Sequence, residues 1–248
     1  MPKSSHQENS NSGIRLNRYL ASCGLGSRRS CETIIDEGRV AINDRQIRDL
    51  GNRVQAGDEV TVDGELVTPE REMTIALHKP PHFVSTRNDP EGRQTVFDLV
   101  PREFKHLNHV GRLDRESEGL LILSNCGDLA HRLTHPSTKV EKEYLVQIDR
   151  VFDMKDRAPF IRGIETEEGI AKAIAVQALE KRLIRVVLQQ GLKRQIRLMF
   201  AAREYKVKRL IRVRIGSLEL GNLKQGKWKR LTERELRLLE TNPIGRPD

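Results

Sequence analysis

The sequence predicts an α+β protein in two domains: a small one of two helices plus short strands, then a larger one with a mainly antiparallel mixed sheet flanked by helices. Three observations carry this. Helical apolar spacing near the N-terminus gives way to hairpin patterns before residue 67. A polar, proline-interrupted stretch at residues 68–72 separates that unit from the rest of the chain. Beyond it, short branched or alternating apolar runs stand among helical patterns without the regular alternation of a parallel βαβ sheet.

Residues 1–13 are polar and have no apolar h-region, so they read as a disordered tail and not as a signal peptide. Leu16, Tyr19 and Leu20 then recur at helical spacing. After the turn at Cys23-Gly24-Leu25-Gly26, Ser27 can cap a second helix that runs to about Glu37 and stops at Gly38. Hairpins are expected where Val40-Ala41-Ile42 meets Asn43-Asp44 and where Glu59-Val60-Thr61-Val62 meets Asp63-Gly64. This first domain spans residues 14–67, and residues 68–72 form a linker. The second spans residues 73–240, with residues 241–248 as a tail. Its expected strands are Thr74 to Leu77, Leu120 to Leu123, Tyr144 to Ile148, Ile174 to Leu179 and Leu183 to Leu188; helical patterns cover Leu129 to Leu133, Phe152 to Gly163 and Gln195 to Ala202.

At 248 residues, 37% hydrophobic and 32% charged, the chain can bury a real core, and its aliphatic runs are too short to cross a bilayer. A cytoplasmic protein with no membrane partner is expected. Cys23, Cys31 and Cys126 are odd in number and show no C-x-x-C spacing, which supports reduced thiols and neither a disulfide framework nor a zinc knuckle. The net charge of +9 points to a polyanionic partner. It is also segregated. From Lys181 to Arg230 there are sixteen Lys or Arg against Glu204 and Glu219, and between Ile14 and Cys31 stand Arg15, Arg18, Arg28 and Arg29 with no acid. Two such basic segments favour a nucleic-acid track over an ordinary solvated face.

Several patterns lead nowhere. Gly24-Leu25-Gly26 lacks a third glycine and a preceding strand, so it is a helix connector and no dinucleotide site. His131 and His135 lack a third ligand, and no metal is expected. No G-x-x-x-x-G-K-[ST] loop and no nucleophile elbow occur. The segment from Gly111 to Leu123 is different: Arg112-Leu113-Asp114-Arg115 sets one acid among arginines just ahead of four aliphatics, Leu120 to Leu123, that read as a buried strand. Loops held by rigid strands are where chemistry concentrates. Position alone also allows a turn aspartate paired with Arg112 or Arg115.

Three further segments join it: Leu77-His78-Lys79-Pro80-Pro81-His82, Glu141-Lys142-Glu143-Tyr144, and Gly191-Leu192-Lys193-Arg194-Gln195-Ile196-Arg197-Leu198. Singly, Tyr144 could be half-buried core and Arg197 one more basic surface residue. In this order, together with the Asp114 box, they strongly resemble the RsuA/RluB family of pseudouridine synthases over nearly the whole chain. Gly26-Ser27-Arg28-Arg29 with the Ile34 to Val40 segment resembles the S4 RNA-binding domain. Arg87-Asn88-Asp89-Pro90-Glu91-Gly92-Arg93 with Thr95-Val96-Phe97-Asp98 looks most like the RluB branch, which modifies large-subunit ribosomal RNA. Two positions depart from the pattern. The glycine that usually comes after Lys-Pro-x is His82, which bears on the turn, and the second arginine after Gln-x-Arg is Leu198, which bears on one phosphate contact.

The resemblance implies isomerisation of uridine to pseudouridine in ribosomal RNA, the large subunit's 23S RNA first and the small subunit's 16S RNA as the alternative, on a flipped uridine in a stem-loop or an assembly intermediate. It implies a catalytic set of Asp114 as the essential carboxylate, Tyr144 as the aromatic that stacks on the base and helps remove its C5 proton, and Arg197 as the counter-charge to Asp114. RNA contacts are expected from Arg15, Arg18, Arg28, Arg29, Arg112, Lys193 and Arg194, while Lys79 and Pro80 shape the cleft. No electrons are transferred, so no cofactor is expected, and the protein should act as a monomer. A non-catalytic ribosomal RNA-binding or assembly factor is the competing class. A nuclease or hydrolase on acidic pairs is disfavoured, because no metal-binding carboxylates surround Asp114.

Overall fold

The computed structural model describes residues 13–243. Residues 1–12 and 244–248, which hold most of the expected tails, lie outside that range. The chain divides into two units, Met1–Glu72 and Met73–Asp248.

In the first unit, strand β1 (Ile14–Arg15) leads into helix α1 (Leu16–Ser22) and then α2 (Arg28–Asp36). Ser27 caps α2 by accepting a hydrogen bond from the Ser30 amide at 3.1 Å, and Gly38 takes φ +74° just past its end. Beyond it lies a four-stranded sheet, in the order β3 (Arg45–Ile47), β2 (Val40–Ile42), β5 (Val60–Val62), β6 (Glu65–Leu66). Both hairpin turns form at the expected places, with Asn43, Asp44, Asp63 and Gly64 all at positive φ. A strand that carries no apolar pattern, β4 (Arg53–Val54), pairs with β1. Leu16, Leu20, Cys31 and Ile35 close this core against Val40, Val54, Val60 and Val62.

The second unit is α+β, built on one nine-stranded sheet. Its main path runs β13 (Ala175–Glu180), β14 (Leu183–Leu188), β10 (Lys142–Ile148), β15 (Val207–Ile215), β9 (Glu118–Ser124), β7 (Thr74–Lys79), β17 (Trp228–Arg230); β8 (Asn108–Val110) pairs with β9, and β16 (Leu218–Glu219) with β15. All pairings are antiparallel except β15 with β9. A separate hairpin joins β11 (Ile164–Thr166) to β12 (Gly169–Ala171). Strand period sorts the core: Leu120 and Ile122 of β9 join Leu129 and Leu133 of α3 (Gly127–Thr134) on one face. Leu121 and Leu123 join Phe97, Phe104 and Leu107 on the other. A third cluster packs β10 and β14 against α4 (Arg157–Arg162) and α5 (Gln195–Ala201) through Phe160, Met199 and Phe200. The last helix, α6 (Glu233–Glu240), opens with a Thr232–Glu235 capping box.

The central strand β15 departs most from the sequence reading, which took this stretch as part of a basic track. Arg212 and Arg214 are 4% and 3% exposed. Arg214 reaches Glu143 at 2.9 Å and Glu141 at 3.1 Å, and Arg209 forms a two-pronged pair with buried Glu118, both bonds 2.9 Å. Arg203 binds Asp156 through its Nε at 2.7 Å. Within this basic stretch Arg212 and Arg214 are therefore internal scaffolding, whereas Arg203 and Arg209 remain exposed while anchoring buried acids.

The crossing of β9 and β15 depends on Gly119. Its φ is +106°, and a β-carbon there would run into the backbone of Arg212, its register partner.

Candidate active site

The loop Gly111–Ser117 that delivers Asp114 is held on both sides. Ser85, itself buried, donates its hydroxyl to the Leu113 carbonyl at 2.9 Å and accepts from the Leu113 amide at 3.3 Å. Behind the loop, Lys79 has no exposed surface, and its ammonium donates to the carbonyls of Pro80 at 3.0 Å, Arg115 at 3.2 Å and Ser117 at 2.7 Å. The His82 amide adds a bond to the Arg115 carbonyl at 2.7 Å. A turn bond from the Ser117 amide to the Asp114 carbonyl, 3.0 Å, closes the loop. His82 takes φ +73°, a left-handed backbone conformation that favours glycine. Burial pushes the Lys79 pKa down to about 8, against the opposing pull of Glu116 and Asp114. At neutral pH it remains an ammonium and keeps its three acceptors.

Asp114 and Tyr144 line one cavity of about 560 Å³. Asp114 is half-buried, and among the described residues its carboxylate makes no ion pair; Arg115 faces Glu116 instead, at 3.6 Å. The reading of Asp114 as a turn aspartate spent on Arg112 or Arg115 therefore does not hold. Lys142 and Tyr144, two residues apart on β10, share a face of the strand, and Arg212 of β15 is the register partner of Tyr144. Together with Leu188 and Leu210 they form the sheet side of the cavity. One wall is the segment from Val84 to Arg93, stiffened by Asp89, which accepts from the Arg93 amide at 2.8 Å, its Nε at 3.0 Å and its Nη2 at 2.7 Å. These bonds hold the Asp89 carboxyl below its ordinary value. The opposite wall is the turn Gln190 to Ile196, where Arg194 sits at φ +52° ahead of α5.

Of the other expected residues, Arg112, Lys193 and Arg194 are exposed and line the cavity. Lys79 and Pro80 do not line it, so they shape it from behind the Asp114 loop and not as its surface. Arg197 does not line it either. Its guanidinium donates to the carbonyls of Glu116 at 3.3 Å and Val207 at 3.4 Å, and its buried Nε has no partner among the described residues. Burial, then Arg194, lower its pKa, while Asp114 and Glu116 act the other way. The expected contact ion pair between Arg197 and Asp114 is thus absent among the described residues; the two interact at longer range across the loop backbone. In the first unit Arg15, Arg28 and Arg29 are exposed, and Arg18 is half-buried.

Sequence reasoning missed Lys142 and Arg212. The period-two spacing from Lys142 to Tyr144 was a usable signal for the first. Arg212 carried none, because its cavity position depends on the pairing of β15 with β10.

Among the described residues no group of three or more His, Cys, Asp or Glu is arranged to hold a metal, and no helix is long and apolar enough to cross a membrane.

The family model for RNA pseudouridylate synthase matches residues 73–202, and the S4 domain model matches residues 14–60. A protein of Aquifex aeolicus described as an uncharacterized RNA pseudouridine synthase is 38% identical over 229 residues, covering 90% of this chain and 92% of that one. The dual-specificity RNA pseudouridine synthase RluF of Escherichia coli K12 is 37% identical over 232 residues, covering 91% and 78%. Among solved structures, one described as a pseudouridylate synthase superposes with a TM-score of 0.68 at 27% identity, covering 92% of this chain and 100% of that one. These matches, on a chain whose Asp114 and Tyr144 boxes meet at one cavity, identify it as a member of the RNA pseudouridine synthase family with an N-terminal S4 domain.

Proposed function

We propose that the protein converts a specific uridine of ribosomal RNA, in the large subunit, to pseudouridine, with Asp114 as the reacting carboxylate. The observation that carries this reading is the company Asp114 keeps: an acid without an ion pair among the described residues, on a clamped loop, in a cavity whose other ionisable lining is cationic apart from Tyr144 and the Asp89–Arg93 pair. The reaction breaks the bond between ribose and the base nitrogen N1, turns the base, and joins ribose to C5. The C5 proton leaves and N1 is protonated, so no electrons are gained or lost. Asp114 acts on the ribose, either as a nucleophile or as a base that removes a ribose proton to give a glycal. Tyr144 offers its ring as a stacking surface for the extruded base.

A base inside a duplex is out of reach, so the nucleotide is flipped from a stem-loop at a cost of a few kcal/mol. Backbone contacts from Arg112, Lys193 and Arg194 offset that cost, and Arg15, Arg18, Arg28 and Arg29 of the S4 domain supply more. Arg197 faces Asp114 at longer range and helps fix its loop through the Glu116 carbonyl it holds. We assign the protein to the cytoplasm, acting as a monomer on ribosomal RNA or an assembly intermediate.

Mapping pseudouridines in ribosomal RNA from cells lacking the protein tests the reading. It predicts one lost site in 23S RNA. Loss only in 16S RNA would move the target to the small subunit, and an unchanged map of both would overturn the assignment.

A further inference from the structure

Arg212 is 4% exposed and lines the cavity. Its Nε donates to the Leu120 carbonyl at 2.7 Å, but its Nη2 is buried and has no acceptor among the described residues. Buried donors are nearly always satisfied, and those of a charged group are the costliest to leave open. Beside it stands Lys142, also lining the cavity, with no side-chain hydrogen bond or ion pair among the described residues. Its pKa is pushed down to about 8 by burial and then by Arg212. Two cations held side by side, one buried and one half-buried, await acceptors that the surrounding protein does not provide.

We propose that Arg212 and Lys142 form the base-reading face of the cavity, donating hydrogen bonds to the carbonyl oxygens of the extruded uracil and thereby rejecting cytosine. This rests on the reading of the cavity as a uridine site. The argument for the base over the phosphate is depth. The exposed cations Arg112, Lys193 and Arg194 stand where a charged, hydrated backbone can be met, whereas Arg212 and Lys142 flank Tyr144 on the sheet. What arrives against an aromatic ring is the base. Uracil presents two carbonyl acceptors, while cytosine replaces one with an amino group, which two cationic donors cannot accept. Leaving such donors unpaired is a strong ground for discrimination.

The test uses the full chain and ribosomal RNA from cells that lack the protein. Arg212→Gln and Lys142→Met should each slow single-turnover pseudouridine formation roughly tenfold to a hundredfold. Their Kd for the RNA should stay within about threefold of the wild type, because phosphate contacts dominate affinity. Arg212 also anchors the Leu120 carbonyl, so Lys142→Met, which disturbs no such bond, is the variant that keeps the test independent of folding. Transcripts made with 2-thiouridine or 4-thiouridine, whose sulfur is a poor acceptor, should slow the wild type, and with one of the two the further loss in the variants should be small. Unchanged rates, a Kd that weakens in step with the rate, or additive thio effects with both analogues would overturn the proposal. Failure of the wild type to form pseudouridine would instead overturn the functional reading.

Discussion

The ammonium of Lys79 lies 2.7 Å from the carbonyl oxygen of Ser117, in the loop that carries Asp114. That bond, with those to Arg115 and Pro80, makes a buried lysine the internal brace behind the Asp114 loop. Lys79→Met would leave these carbonyls without their donor, at a cost on the order of 2–3 kcal/mol in unfolding free energy. Because the brace holds Asp114 from behind the cavity, kcat should fall with little change in KM. Urea unfolding and steady-state kinetics on the same preparation check both, and a higher KM with kcat intact would contradict the bracing role.

Gly119→Ala should cost at least about 2 kcal/mol, since a β-carbon at φ +106° adds backbone strain to a collision with the Arg212 backbone. The urea midpoint would read it directly. Retention of wild-type stability would mean that β9 and β15 can separate freely at this point.

His82 occupies a left-handed position in the turn after Lys79-Pro80. A β-branched residue tolerates that conformation worst, so His82→Val should lose roughly 1–2 kcal/mol, whereas His82→Gly should fold at least as well as the wild type. Thermal melts of the two variants distinguish conformation from any side-chain contact of the histidine. Equal losses in both would place the effect in the side chain.

Lys142 gives a pH signature. Its folded pKa, about 8, lies below its ordinary 10.5, so the folded state carries the full penalty of a buried charge below about pH 8. As pH rises through that value toward 10.5, the folded protein sheds the proton before the unfolded chain does, and the penalty is relieved. The stability of the wild type relative to Lys142→Met should therefore rise between about pH 7 and about pH 9.5. Paired urea titrations at the two pH values measure that gap, and a constant gap would contradict the burial of this charge.

The strands Leu120 to Leu123 and Leu183 to Leu188 were legible because their buried positions are filled by their own aliphatic side chains. Val207–Ile215 was not, although it lies at the centre of the sheet. Its buried positions include Arg212 and Arg214, which are tolerable inside only because Leu120, Glu143 and Glu141 meet them from distant segments. A local window sees those arginines as surface charge. Lys79 hides its role in the same way, since its three acceptors exist only once the loop has closed. Asp114 and Tyr144 were legible through local sequence boxes, and the sheet brings them to one cavity. The contact pair between Asp114 and Arg197 was an expectation about distance that no sequence pattern contains.

The most direct test of the central claim is Asp114→Asn, which keeps the shape of the side chain while removing the carboxylate's charge. Measured on unmodified ribosomal RNA, it should abolish pseudouridine formation while leaving RNA affinity nearly unchanged. Product formation at the wild-type rate would remove Asp114 from the mechanism and contradict the proposed chemistry at its centre.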